Sequence, residues 1–206
     1  MFNNISHPII FGHRGACAHA PENTVASFKL AVEQGADFVE LDAKLSLDGQ
    51  VMVIHDQTVE RTTNGVGKVN QLTRAQLKEM DAGSKFDIKY AGEKIPTIDE
   101  VLKAVGKDIF VNVELTNYSS QTDELIPKVA EVVKANQMEN RVIFSSFLPG
   151  NLKRIHALIP QAPVAILCLA GFAGSFSRSF FCLGVSPKVV HPYLTDATTA
   201  MVKREH

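Results

Sequence analysis

The sequence predicts an α/β fold in which helices cover a parallel sheet or barrel. Short apolar runs rich in β-branched residues alternate along the chain with stretches of helical pattern, which is typical of parallel strands joined by crossover helices. The 206 residues give room for one domain with a sizeable core. Because no repeat, low-complexity tract or change in composition marks a boundary, we expect residues 1–206 to form a single domain.

Six apolar runs are predicted to be the main strands, and a shorter run follows the second of them. The six runs are Ile9–Gly12, Phe38–Lys44, Phe110–Leu115, Val142–Phe147, Val164–Leu169 and Lys188–Tyr193. The shorter run, Val51–His55, opens a charged stretch with several glycines. We therefore expect residues 51–94 to form an insertion over one end of the barrel.

Two helix starts are marked by capping residues. The first helix is predicted to begin at residues 21–24 and to end at Gly35. Another begins after Pro96, where Thr97 and Glu100 have the spacing of a capping box. Both helices follow a predicted strand, as an alternating α/β fold requires.

Composition argues against several classes of partner. Lys and Arg number 21 and Asp and Glu 22, so no excess positive charge favours nucleic acid or an anionic membrane surface. The stretch Val164–Ser186 is apolar but diluted by small residues, and it is predicted to be a strand and a loop rather than a stable membrane insertion. The start of the chain lacks the features of a secretory signal, which predicts a cytoplasmic location. Three cysteines at no metal-ligand spacing are expected to be packing residues in a reducing compartment: Cys17, Cys168 and Cys182.

Three acidic side chains are predicted to share the interior of the sheet. Strand alternation puts Glu40, Asp42 and Lys44 on one face of the second run, and the same count places Glu114 on the interior face of the third. Buried carboxylates repel one another, so they need protons, basic partners such as Lys44, or a cation. Three acids together favour the cation, and oxygen ligands favour Mg²⁺ or Ca²⁺ over Zn²⁺.

Two histidines are candidates for proton transfer. His13 follows the first run and His55 follows the short run, so both are expected at strand ends, where barrel active sites form. His191 lies near the end of the sixth run, where packing is as good an explanation as substrate contact. The other four are expected to be packed or surface residues: His7, His19, His156 and His206.

The segment from Phe11 to Asp56, FGHRGACAHAPENTVASFKLAVEQGADFVELDAKLSLDGQVMVIHD, resembles the signature of the glycerophosphodiester phosphodiesterase family. The motifs HRG, PENT, ExD, HD, RTTNG and NVE occur here in the family's order and spacing. The resemblance covers nearly the whole chain and weakens after Phe147. It implies a TIM-type (β/α) barrel of the phospholipase C-like phosphodiesterase class.

The resemblance also implies a chemistry. It assigns a divalent cation, Mg²⁺ or Ca²⁺, to Glu40, Asp42 and Glu114, and acid and base roles to His13 and His55. The implied reaction hydrolyses a small glycerophosphodiester to glycerol 3-phosphate and an alcohol, with a cyclic phosphate formed on the way.

Further residues are placed around the phosphate. The resemblance assigns phosphate binding to Arg14. Many family members carry a lysine two residues after the third acid, where this chain has Thr116, and we expect Lys44 to take over part of that role. Asn23 is expected to steady the site, although capping of the first helix explains it nearly as well.

The barrel is expected to be truncated after the sixth strand and its helix. Barrels of this type need about 250 residues, and the chain contains six barrel-type runs. Unpaired edges beside the first and sixth strands would then favour self-association into a homo-oligomer.

Two alternatives to that activity remain open. A lysophospholipase D-like enzyme acting on lipid diesters would need an apolar entrance, for which four side chains are available: Phe172, Phe176, Phe180 and Phe181. A non-catalytic, truncated metal-binding relative is favoured by the missing strands and Thr116, and is opposed by the intact set of site residues.

Overall fold

The computed structural model of the protein describes residues 8–120, 122–179 and 187–205. One sheet has the strand order β1-β2-β4-β5-β6-β7, and β3 pairs with β2 off this path. The strands are β1 Phe11–Gly12, β2 Phe38–Leu45, β3 Val51–Val53, β4 Phe110–Leu115, β5 Val142–Ser146, β6 Val164–Leu167 and β7 Val189–His191. Every predicted run therefore contains a strand. Predictions on five residues fall outside the described ranges: His7, Phe180, Phe181, Cys182 and His206.

Helices alternate with the parallel strands. They are α1 Val25–Glu33, α2 Arg74–Glu79, α3 Ile98–Val105, α4 Leu125–Ala135, α5 Pro149–Leu158, α6 Gly171–Ser179 and α7 Thr199–Glu205. The six main strands pair in parallel, which fits the predicted TIM-type barrel class. No helix within the described ranges has both the length and the apolar content to cross a bilayer.

The sheet curls toward a barrel. Among the described residues, β1 and β7 each pair with one neighbouring strand, yet Phe11 of β1 meets His191 of β7 edge to face at 5.8 Å between ring centroids. Phe11 also stacks on Phe38, which stacks on Phe110, at 4.6 and 5.0 Å. These rings fill the floor of the interior below the acidic residues, and His191 packs there. Self-association remains a prediction.

Both predicted helix starts are confirmed. The hydroxyl of Thr24 accepts a hydrogen bond from the backbone N–H of Ser27 and caps α1, while Thr97 and Glu100 form a reciprocal capping box on α3. Asn23 does not cap α1, because Thr24 occupies that position. Gly35, just beyond α1, has a φ of +80°, as expected where a helix ends.

The prediction of a loop after β6 was wrong, since Gly171–Ser179 forms helix α6. Two adjacent parallel strands need a crossover connection, and a helix is the usual one. Small residues obscured the helical pattern here. The helix start is fixed by the backbone N–H of Gly171, which donates to Asp196 Oδ2 at 2.7 Å.

Between β2 and α3 the chain makes an excursion from the sheet, which we call the excursion segment (residues 54–95). Strand β3 runs antiparallel to β2 and precedes the segment, which contains α2 and short 3₁₀ helices at Val69–Gln71 and Ile88–Tyr90. The Val53 N–H donates to the Pro96 carbonyl at 2.8 Å, where the chain returns. Seven buried residues form a separate apolar cluster under the segment: Met52, Ile54, Val59, Val69, Leu77, Ala82 and Ile95.

Candidate active site

The three predicted acids meet at the carboxyl end of the sheet interior. Parallel register places Asp42 opposite Glu114, and Glu40 opposite Asn112. One oxygen from each carboxylate can be chosen so that all three lie within 4.8 Å of one another. Glu40 and Asp42 are buried and Glu114 is half-buried. Period-two alternation along two neighbouring strands is enough to bring these groups together.

The acid cluster carries unbalanced negative charge. Burial raises the pKa of Glu40 well above its ordinary value, and the charges of Asp42 and Glu114 raise it further. Burial and Asp42 also raise the pKa of Glu114. Glu40 Oε1 is buried and has no hydrogen-bond partner among the described residues. A hard divalent cation fits this site, because it would bind the carboxylate oxygens and offset their repulsion.

The turn after β1 carries Arg14 against the acids. The Arg14 backbone has a φ of 55°, and its N–H donates to Glu40 Oε2 at 3.0 Å. Its guanidinium donates to Glu22 at 2.9 Å and lies 3.4 Å from Asp42 Oδ2. Gly15 is required beside it, because an added Cβ would lie 2.4 Å from Ser27 Oγ. The HRG motif thus combines a charged side chain with a turn that packs tightly on α1.

Asn23 supports the second strand from the start of α1. Its side-chain amide donates to Asp42 Oδ2 at 2.9 Å. The backbone φ of 57° places Asn23 in a left-handed conformation that asparagine tolerates better than most residues. Of the two expectations for Asn23, the steadying contact is the one observed.

The two candidate histidines approach the acids from different elements. His13, after β1, has a side chain that is 65 % exposed and lies with Nε2 3.9 Å from Glu40 Oε2. Burial and the charge of Arg14 lower the pKa of His13. His55, after β3, has Nδ1 2.7 Å from Asp56 Oδ1. A proton on Nδ1 for this contact leaves Nε2 as the nitrogen that is free to face a substrate.

Arg61, to which the sequence analysis gave no role, ties the two sides of the site together. Its guanidinium donates to both oxygens of Glu22, at 2.7 and 2.9 Å, and to Asp56 Oδ2 at 2.6 Å. Glu22 also accepts a hydrogen bond from the Arg14 guanidinium, and Asp56 is hydrogen-bonded to His55 Nδ1. The hydrogen bonds from Arg61 lower the pKa of Asp56 to about 2. The result is one connected network from the predicted phosphate-binding residue to a predicted catalytic histidine.

Replacing Arg61 by methionine is expected to reduce the free energy of unfolding by about 1 kcal/mol near neutral pH, since its partners stay partly exposed. The Asp56 carboxylate has an ordinary pKa of 3.8 and a folded-state pKa of about 2. The contribution of the Asp56 carboxylate to stability is complete above pH 3.8 and is lost as the pH falls through about 2. Urea unfolding should therefore show a gap between variant and wild type near neutral pH that narrows toward about pH 2.

The control for that experiment is Lys153→Met, because Lys153 is an exposed cationic residue of α5. This variant should stay close to wild type at both pH values. A gap between Arg61→Met and wild type that is equally large in acid would mean that Arg61 stabilises the fold by packing alone.

Lys44 lies where the sequence analysis expected a missing positive charge to be replaced. Its ammonium donates to Thr116 Oγ1 at 2.8 Å, and Thr116 Oγ1 donates to the Ala43 carbonyl at 2.7 Å. Burial lowers the pKa of Lys44, whereas the charges of Asp42 and Glu114 oppose that change. A lysine from β2 thus occupies the space beside Thr116.

Tyr118 is a further site residue that the sequence analysis missed. Its hydroxyl donates to Glu114 Oε1 at 2.7 Å, and its ring meets Phe147 edge to face at 5.8 Å. Burial and the charge of Glu114 raise the pKa of Tyr118, so the hydroxyl stays protonated as a donor. Tyr118 therefore fixes the orientation of the half-buried member of the acid cluster.

The chain is similar in sequence and in fold to several known proteins. Residues 13–173 match the model of the Glycerophosphoryl diester phosphodiesterase family. A glycerophosphodiester phosphodiesterase of Caldanaerobacter subterraneus is 37 % identical over 196 residues, which are 95 % of this chain and 79 % of the relative. A phosphodiesterase structure from Oleispira antarctica, in complex with the product sn-glycerol-3-phosphate, is 30 % identical with a TM-score of 0.86 and covers 96 % of this chain and 79 % of its own. A glycerophosphodiester phosphodiesterase structure from Agrobacterium tumefaciens is 27 % identical with a TM-score of 0.80, and the match covers 96 % and 81 % of the two chains.

Proposed function

The chain belongs to the glycerophosphoryl diester phosphodiesterase family, a class of phosphoric diester hydrolases, and we propose that it converts glycerophosphodiesters to glycerol 3-phosphate and an alcohol. The observation that carries the proposal is the cluster of Glu40, Asp42 and Glu114 beside Arg14 and His13. The Oleispira relative, whose structure holds sn-glycerol-3-phosphate, supports the same reaction. Location in the cytoplasm stays a prediction.

We assign a Mg²⁺ or Ca²⁺ ion to the acid cluster. The unpartnered Glu40 Oε1 and the raised pKa of Glu40 support this assignment. When bound, the cation would supply positive charge that neutralises phosphoryl oxygens. Tyr118 and Asn23 keep Glu114 and Asp42 oriented toward the common centre of the cluster.

Arg14 and Lys44 are assigned to the substrate phosphate. Glu22 engages one end of the Arg14 guanidinium, and guanidinium has five N–H donors in a fixed plane, which leaves others for a phosphoryl oxygen. Lys44, two residues beyond Asp42 on the same face of β2, adds a second cationic donor. The two side chains hold the phosphoryl group over the acid cluster.

The histidines divide the proton transfers between them. We assign the general acid to His55, whose Nδ1 is held by Asp56 so that Nε2 can face the leaving alcohol, and the general base to His13. His13 removes the proton from the glycerol hydroxyl next to the phosphate, and that oxygen attacks phosphorus. The bond to the alcohol oxygen breaks, and His55 protonates the departing alcohol. A water molecule then opens the cyclic phosphate with the two roles reversed, giving glycerol 3-phosphate.

A second candidate, hydrolysis of lysophospholipid-type diesters, is favoured by exposed apolar side chains in the segments that follow β6 and β7, at the site's end of the sheet. Phe172 is 87 % exposed and Leu194 is 86 % exposed, and Leu169 and Tyr193 lie beside them in sequence. Such a surface would suit the acyl chain of a lipid substrate.

The deciding experiment measures glycerol 3-phosphate released from glycerophosphodiesters by the 206-residue chain. We expect turnover with Mg²⁺ or Ca²⁺ and its loss after chelation, restored when the ion is added back. Lysophosphatidylcholine, assayed in parallel, tests the lipid alternative. A folded protein that hydrolyses neither substrate class with either ion would rule the proposal out.

A further inference from the structure

A cavity of about 280 Å³ opens beside Lys44, outside the acid cluster. One wall comes from the ends of β2 and β4 and the residues after β4, including Asn117. The opposite wall comes from the excursion segment, which contributes Gln57, Lys68 and Asn70. The Val69 N–H donates to the Gln57 carbonyl at 3.0 Å, so this second wall is held by backbone pairing.

The cavity is lined by Lys44, which is assigned to the phosphate, and by a residue close in sequence to His55, the proposed acid. Lys44 lies two residues beyond Asp42 on the same face of β2, and Gln57 lies two residues beyond His55. An alcohol that receives its proton from His55 would therefore leave along this side of the phosphate. The volume is large enough for a small headgroup, because about 10–15 Å³ measured in the same way is enough to hold one water molecule.

The chemistry of the lining is cationic and rich in hydrogen-bonding groups. Lys44 and Lys68 supply ammonium groups, and among the described residues no carboxylate pairs with Lys68. The Asp123 carboxylate also lines the cavity, but it accepts hydrogen bonds from Asn117, Ser120 and the Leu125 backbone. Its lone pairs are thus largely occupied.

Quaternary ammonium headgroups are poorly matched to these walls. Such groups are bound by the faces of aromatic rings, and no aromatic side chain lines the cavity in the described part of the chain. Two lysines also oppose a cationic ligand. Hydroxyl groups, by contrast, accept from ammonium and amide donors and donate to amide and hydroxyl oxygens.

We propose that this cavity is the subsite for the leaving alcohol and that it selects hydroxyl-rich headgroups, such as glycerol or inositol, over choline. The inference rests on the proposed function and adds a substrate class to it. Lys68 is the residue that makes the difference, because it lines the cavity and is not one of the two residues assigned to the phosphate. The excursion segment then determines selectivity through Lys68 and Asn70.

The test compares kcat/KM for glycerophosphoglycerol, glycerophosphoinositol and glycerophosphocholine. We expect the wild type to favour the two polyol substrates by about tenfold, the effect of one hydrogen bond to a charged group. Lys68→Met keeps the length of the side chain and removes its charge, so it should lower the polyol-to-choline ratio of kcat/KM about tenfold. Lys107→Met, at an exposed residue in the turn between α3 and β4 that does not line the cavity, should leave the ratio unchanged.

Each other outcome has a separate meaning. Hydrolysis of all three diesters with equal kcat/KM would overturn the subsite while leaving the phosphodiesterase proposal intact. A Lys68→Met variant that slows every substrate by the same factor would likewise overturn it, because Lys68 would then act on the phosphate or the common glycerol. Failure to hydrolyse any diester would remove the proposed function first and the subsite with it.

Discussion

Replacement of His13 by alanine is expected to lower kcat about 10²–10⁴-fold, the usual contribution of a positioned acid or base. The imidazole is the proposed base for the glycerol hydroxyl, and its side chain is 65 % exposed. Removing it should therefore abolish proton transfer without loss of core packing. Steady-state release of glycerol 3-phosphate measures kcat, and thermal unfolding of the same preparation should give an unchanged melting temperature.

His156→Ala is the matched control, because His156 is an exposed histidine on helix α5. That variant should keep wild-type kcat. If His13→Ala retained more than about a tenth of wild-type kcat while remaining folded, proton transfer at this position would contribute too little for a base.

The second large effect is expected in the stabilisation of the protein by metal ions, which the substitution Glu40→Gln should remove. Excess Mg²⁺ or Ca²⁺, at about 100 times its dissociation constant, should stabilise the wild type by about 2.7 kcal/mol. For a chain of this size that stabilisation corresponds to about 5–10 °C in melting temperature. Glutamine keeps the shape of Glu40 but removes the charge of a buried residue of the acid cluster. The variant should therefore lose the increase in melting temperature that the ion gives to the wild type.

This measurement needs no turnover and therefore tests the ion site independently of the reaction. Glu33→Gln, at the exposed end of α1, is the control and should keep the full thermal shift. An equal shift in Glu40→Gln and wild type would mean that the cation binds elsewhere. Chelation of the wild type should reverse the shift.

The sequence predicted the strands and the convergence of the acids for a simple physical reason. Side chains on a strand alternate with period two, and parallel neighbours end at the same edge of a sheet. The alternation alone therefore predicts that Glu40, Asp42 and Glu114 point into the barrel. The capping box of Thr97 and Glu100 was equally readable, because capping depends on residues three positions apart.

The network around Arg61 could not be predicted in the same way. Arg61 and Glu22 are 39 residues apart, and Arg61 lies in an irregular segment without strand or helix periodicity. Tyr118 follows the end of β4, where alternation no longer defines a direction for the side chain. The RTTNG and PENT motifs indicated that these stretches matter, but a motif does not say which atoms meet. Helix α6 was missed because small residues weaken the amphipathic pattern.

The excursion segment leaves the sheet and returns to it at neighbouring positions, and this arrangement has an evolutionary consequence. Because Val53 and Pro96 are hydrogen-bonded to each other, changes of length or composition between them need not move the strands that carry Asp42 and Glu114. Longer loops between fixed ends add little entropic cost. On the proposed assignment of the subsite, alcohol preference would diverge by remodelling of this one segment, provided that it keeps His55, while the sheet keeps the acid cluster unchanged.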